Sequence, residues 1–225
     1  MAESSAVPTE SDAALERGIT KLFAVLLAGE YAAYTRLIAE SAMAPDIASR
    51  VAIARMASAE MGHFDLLAAQ LEARGGDPIK AIGDYVDVFD RYHGATNPKS
   101  WYEAMIKAYI GDGLAADFYL ELAHMLPDDA RAVVEGVMAE TGNSAFAIAQ
   151  VRGKLAAEPV LRGPLTLWGR RLLGEAITHA QWVLAAEDDV TDLLFQGTGD
   201  LQAVSRFFDS VSDRHAQRMA DLGLA

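Results

Sequence analysis

Between Ala13 and Ala44 apolar residues recur every three or four positions, at Ile19, Leu22, Phe23, Leu26, Leu27, Tyr34, Leu37 and Ile38. That is the period of a helix burying one face. The same period returns along the chain, and no segment shows a convincing alternation of period two, so the chain reads as all-α. Pro45 ends the first helix, and Asp46 is placed to cap a second that runs to about Arg74. The sequence GGDP at 75–78 stops it.

A short amphipathic piece follows within 79–98. Ser100 then opens a third helix that reaches about Met125. Pro127-Asp128-Asp129 turns the chain into a fourth helix over about 130–157. Pro159 and Gly163-Pro164 mark a break before a fifth helix at about 165–187. QGTGD at 196–200 separates that from a sixth at about 201–222. The first four helices form two close antiparallel hairpins joined by roughly 25 residues. A four-helix bundle with one long crossover is the ferritin-like arrangement, here with two extra C-terminal helices. Residues 1–11 read as a flexible tail and 12–225 as one domain.

The two hairpins carry polar residues at matching positions. Glu30 and Asp112 lie 82 residues apart, and Glu60 and Glu140 lie 80 apart. His63 and Asn143 are also separated by 80. With turns near 45 and 126, Glu30 and Glu60 each lie 15 residues from the first turn; Asp112 and Glu140 each lie 14 from the second. At about 1.5 Å of rise per residue the four acids fall at one depth, mid-bundle. A bundle di-iron site takes one Glu from each of two helices and a Glu-x-x-His from each of the other two. Glu60-Met61-Gly62-His63 has that form, whereas Glu140-Thr141-Gly142-Asn143 lacks the imidazole. Gly29, Gly62, Gly111 and Gly142 would leave room beside these acids.

Composition narrows the chemistry. With no cysteine in the chain, thiolate zinc sites, iron–sulfur clusters and a Cys nucleophile are excluded. Carboxylates and imidazoles that remain suit iron or manganese. A net charge of −13 disfavours nucleic acid and anionic membranes as partners. Glu30, Arg36 and Glu40 interrupt the most apolar stretch, which argues against a membrane span, and the polar start MAESSAVPTESD has no signal-peptide pattern. A cytoplasmic protein is the expectation.

ARMASAEMGHFDLL, WYEAMIKAYIGDGLAADFYLELA, WGRRLLGEA and the ending RMADLGLA resemble actinobacterial ferritin-like proteins classed as similar to MiaE, a tRNA hydroxylase acting on 2-methylthio-isopentenyl-adenosine. The resemblance covers nearly the whole chain past its N-terminal tail. It implies a non-haem di-iron monooxygenase with ligands at Glu30, Glu60, His63, Asp112 and Glu140. It also implies two irons, an external electron donor and a tRNA substrate. Asn143 stands where a second His belongs, and Asp112 is one methylene shorter than Glu. A di-metal site, a mono-metal site on Glu30, Glu60 and His63, and a metal-free scaffold therefore all remain open. Iron storage is weaker, because nothing indicates cage assembly.

Other candidates have plainer readings. Glu121-Leu122-Ala123-His124 is a second E-x-x-H, but it lies at a helix end. Asp117 and Glu135 suit solvated or salt-bridged faces. Arg171 and Glu175 suit an i,i+4 ion pair, with Arg170 and His179 on the same polar stretch as a rival phosphate-binding lip. Tyr31, Tyr34, Tyr109, Phe118 and Phe146 read as core that would also wall an oxidant pocket. Trp182 and Phe208 are candidates for a homodimer face, and His93 and His215 read as surface or loop residues without a role.

Overall fold

The computed structural model describes residues 9–139, 143–195 and 201–225. Nine helices are described, α1 (Glu10–Glu40), α2 (Ile47–Ala73), α3 (Pro78–Ala95), α4 (Trp101–Ala123), α5 (Asp128–Val137), α6 (Asn143–Ala157), α7 (Arg162–Ala186), α8 (Asp188–Phe195) and α9 (Leu201–Asp221). No strand occurs among the described residues. The all-α, ferritin-like bundle expected from the sequence is present: α1 pairs with α2, and α4 with α5 and α6. The crossover is itself a full helix, α3, laid against α1, while α7, α8 and α9 pack outside the hairpins.

Local chemistry explains most boundaries. Asp46 accepts a hydrogen bond from the Ser49 amide at 2.7 Å, and Ser100 accepts one from the Glu103 amide at 3.2 Å, so both expected caps form. Gly75 ends α2 at a φ of 77°, in the left-handed region that favours glycine. Asp77 then caps α3, with Pro78 in its first turn. Thr9 and Asp12 form a capping box at the start of α1. Helix α1 thus begins at Glu10, inside the range expected as tail, and residues 1–8 lie outside the described residues.

Two expectations about helices fail. The fourth helix is not continuous from 130 to 157: α5 stops at Val137, and Met138 leaves helical geometry with φ −85° and ψ 0°. Val133, Val134, Gly136 and Val137 lie within five residues, and β-branched and glycine residues are weak helix formers. The second miss is α8, which fills 188–195 where no element was expected; the expected separator at 196–200 lies outside the described residues.

One helix, over Asp12–Met43, is long and apolar enough to cross a membrane by length and composition, so the polar interruptions do not remove that character. Here 61% of its most apolar window is buried inside the protein, as befits a central bundle helix.

Two apolar clusters make the core. One gathers Leu22, Phe23, Leu26 and Leu27 of α1 with Leu67 and Leu71 of α2. The other gathers Leu37 of α1, Ile53 and Met56 of α2, and Ile106 and Ile110 of α4. Between them, α1 carries Glu30 and Arg36 and α2 carries Glu60 and His63. An internal cavity opens at that level.

Candidate metal centre

Glu30 faces inward from the middle of α1, 7% exposed. Glu60 and His63, one helical turn apart on α2, meet it. His63 Nδ1 lies 3.2 Å from Glu30 Oε2 and 3.9 Å from Glu60 Oε2. One ligand atom from each of the three falls within 4.8 Å of the others. Two metal–ligand bonds of about 2.1 Å span at most about 4.2 Å, so small side-chain adjustments bring all three onto one cation. The equal-depth argument therefore holds for the first hairpin.

The electrostatics describe a site short of positive charge. Burial pushes the Glu30 carboxyl well above the usual carboxylate range, with Glu60 adding to the rise and His63 opposing it. Burial also acts to raise Glu60, but hydrogen bonds from His63 and Glu30 outweigh it and leave Glu60 low. His63 is raised to about 10 by those two carboxyl groups. Protons on Glu30 and His63 thus stand in for a cation, and the donor set of two carboxylates and an imidazole fits a transition metal such as iron.

Asp112 lines the same cavity as Glu30, Glu60 and His63 but is not part of the tight group. The residue is exposed to solvent. Protein nevertheless crowds its carboxyl group, and burial followed by the Glu60 charge raises it to about 7, against Arg36 and His63. Glu140, the fifth expected ligand, lies outside the described residues. Because α5 ends at Val137, the equal-height argument does not carry to 140. The side chain of Asn143 is likewise not described. Of the glycines expected to leave space, Gly62 and Gly111 face open volume, whereas Gly29 packs on Phe89, whose Cζ would lie 3.3 Å from an added Cβ.

The cavity holds about 400 Å³, within the range that takes small organic ligands. Its other end is basic and was not anticipated. Arg36 and Lys107 line it, together with Tyr92 and His93 of α3. Arg36 Nη1 donates to Glu40 Oε2 at 2.9 Å, and Lys107 Nζ lies 3.6 Å from Glu40 Oε1. A signal for this end was present in the sequence: residues 26, 30, 33, 36 and 40 follow one helical stripe on α1. The same arginine and glutamate had served only as interruptions of an apolar run.

His93 and His215 are not surface residues. His93 sits in α3, and burial, then Arg36 and Lys107, push it down to about 2. His215, in α9, is 4% exposed and is lowered to about 4 by burial and then Arg218, with Asp117 opposing. Both imidazoles stay neutral in the folded chain below the ordinary histidine value of about 6.5. The unfolded chain then binds more protons, so each histidine lowers stability as pH falls below 6.5, by up to about 1.4 kcal/mol per pH unit. The raised Glu30 and Asp112 carboxyls act in the opposite sense over the same window, so the test is a difference. His215→Leu is expected to make the urea midpoint fall less, or rise more, between pH 6.5 and 4.5 than in the unaltered chain. An unchanged slope in the variant would mean that His215 protonates freely in the fold.

The remaining candidates keep their plainer readings, with one correction. His124 is exposed at the end of α4, and Arg171 Nε lies 3.8 Å from Glu175 Oε1. Asp117 is salt-bridged but buried. Arg218 makes two hydrogen bonds to it, at 2.6 and 2.7 Å, and Arg214 Nε lies 2.8 Å away. Tyr109 lines the cavity and Phe118 a smaller apolar annex beside it. Tyr31 packs its ring near Phe64, and Phe146 near Trp101. Trp182 is 52% exposed beneath Arg91, whereas Phe208 is partly buried against the core.

A search of curated proteins finds no match. The family model that does match, described as a ferritin-like domain of actinomycetes, covers residues 13–197, most of the bundle and both α1 and α2 of the centre. The chain belongs to that family of ferritin-like domains.

Proposed function

We propose that the protein is an iron-dependent hydroxylase of the carboxylate type, similar in chemistry to MiaE. The observation that carries this reading is the convergence of Glu30, Glu60 and His63 in the wall of one cavity. Bound iron would supply the activation of oxygen needed to oxidise a C–H bond. Glu30, Glu60 and His63 would hold it, with Asp112 and Glu140 proposed for a second position that lacks its histidine at Asn143. Leu26, Phe89 and Tyr119 line the cavity and would keep bulk water from the reacting atoms. Glu30, whose proton is held against its usual preference, gives up that proton when a cation arrives, so metal uptake should release protons.

The chain has no cysteine for a redox centre of its own, so electrons would come from a separate reductase. Residues 12–225 would work as one unit. A tRNA substrate rests on the resemblance alone and works against the net charge of −13. Deleting the gene and finding the modified nucleosides unchanged would remove that substrate.

Metal analysis of protein purified from iron-supplied cells is the direct test. One to two irons per chain, with oxygen consumed after chemical reduction, support the hydroxylase. Folded protein that neither contains nor takes up iron leaves a non-catalytic helical scaffold as the function.

A further inference from the structure

The basic end of the cavity has more positive charge than its own partners neutralise. Lys107 is 1% exposed and the Arg36 side chain 8%. Burying such cations costs several kcal/mol each unless they are paired. Glu40 serves both, so two positive charges share one negative. Both cations line the cavity, whereas Glu40 is not part of that lining and stands behind them. Asp112 and Glu60 also act on Arg36, but from beyond 4 Å, so Glu40 is the carboxylate in direct contact with both cations among the described residues.

A second observation points the same way. Nδ1 of His93, in the same wall, is buried without a hydrogen-bond partner among the described residues. A neutral imidazole there can donate one N–H to an anion. Tyr92 completes this end, its ring 5.9 Å from Lys107 Nζ and edge-on to His179 at 5.4 Å. Apolar side chains, among them Leu26, Phe89 and Val137, also line the cavity, whose wall includes Arg218, already held by Asp117.

We propose that Arg36, Lys107 and His93 hold the carboxylate of a small organic monoacid whose apolar body extends toward Glu30, Glu60 and His63. Two cations in direct contact with one carboxylate leave room for one further anionic partner, which matches a monoanion. A phosphate dianion would leave net negative charge beside Glu40 and close to the acidic end. The use of this seat for a substrate rests on the hydroxylase reading, because it points the far end of the acid at the candidate metal ligands. The seat itself depends only on residues of the basic end.

Calorimetric titration of the metal-free full chain with octanoate, and with octanol as the uncharged match, tests the seat. Octanoate is expected to bind at least about tenfold tighter than octanol. Lys107→Met should remove that preference and leave octanol unaffected, while Glu60→Ala should keep it. The Glu60 variant separates the two readings, since it disables the candidate metal centre and leaves the basic end intact. Equal binding of octanoate and octanol to the unaltered protein overturns the proposal, even if Lys107→Met does not fold. No octanoate binding at millimolar concentration overturns it as well. Inorganic phosphate that displaces octanoate at equal concentration assigns the end to phosphate instead. Loss of octanoate in Glu60→Ala but not in Lys107→Met would place the acid at the opposite end.

Discussion

Glu60→Ala is expected to lower metal affinity by more than about 100-fold, because substitutions merely supporting a metal ligand already cost 10–100-fold. Glu60 lies with His63 on one face of α2 and is the carboxylate kept ionised in the metal-free cluster. Removing it leaves Glu30 and His63 as the remaining members of the tight group, too few to hold a cation firmly. The clearest readout is thermal. A cation that binds only the folded chain raises stability in proportion to the logarithm of its concentration over Kd. Added iron(II) or manganese(II) should therefore raise the Tm of the unaltered protein and leave that of the variant nearly unchanged. The metal-free variant should itself melt somewhat lower than its parent, since Glu60 is held ionised by His63 and its loss leaves that imidazole with one carboxyl partner fewer. The shift on adding metal is therefore what separates the two proteins. A variant that retains its full metal content would sink the assignment of this carboxylate.

Asp117→Ala is expected to have the largest effect on stability. Asp117 is 7% exposed and accepts two hydrogen bonds from Arg218, one on each carboxylate oxygen, with Arg214 Nε against Oδ1. Removing one partner of a buried ion pair costs about 3–5 kcal/mol, because the other charge is left in the interior. Arg214 is 40% exposed and can turn to water, so the low end of that range applies. At about 2–4 °C per kcal/mol for a chain of this size, Tm should fall by about 6–12 °C. Gly113 acts on the same pair: a Cβ there would collide with the Arg218 guanidinium. Replacing Asp117 and Arg218 together by leucine and methionine should recover much of the loss. A single substitution that leaves Tm in place would show the pair to be hydrated rather than buried.

The sequence carries the first half of the centre better than the second for a physical reason. Glu30, Glu60 and His63 sit on two uninterrupted helices joined by a short turn, so counting residues from that turn measures height. The same count fails beyond Val137, where weak helix formers let α5 end and the register is lost. The bundle, its caps at Asp46 and Ser100 and the GGDP stop were legible because each rests on local rules. Of the basic end only the α1 stripe through Arg36 and Glu40 was legible, since the end is assembled from α1, α3 and α4, and no spacing in one segment reports which helices face one another. His93 and His215 were misplaced on the same ground, because a polar residue type does not announce burial that only packing creates.

The pairing of α9 with α4 also bears on how the centre comes into being during folding. His63 and Glu30 are 33 residues apart, whereas Arg218 and Asp117 are separated by 101. Closing the longer loop costs only about 1 kcal/mol more, but its contacts reward the chain late, after the local hairpin is in place. The three candidate ligands should therefore come together while the wall that Arg218 contributes is still missing. A nascent chain could then be loaded with metal through an open side before its last helix docks. Pulse-labelled hydrogen exchange should register this order as protection of α1 and α2 ahead of α9.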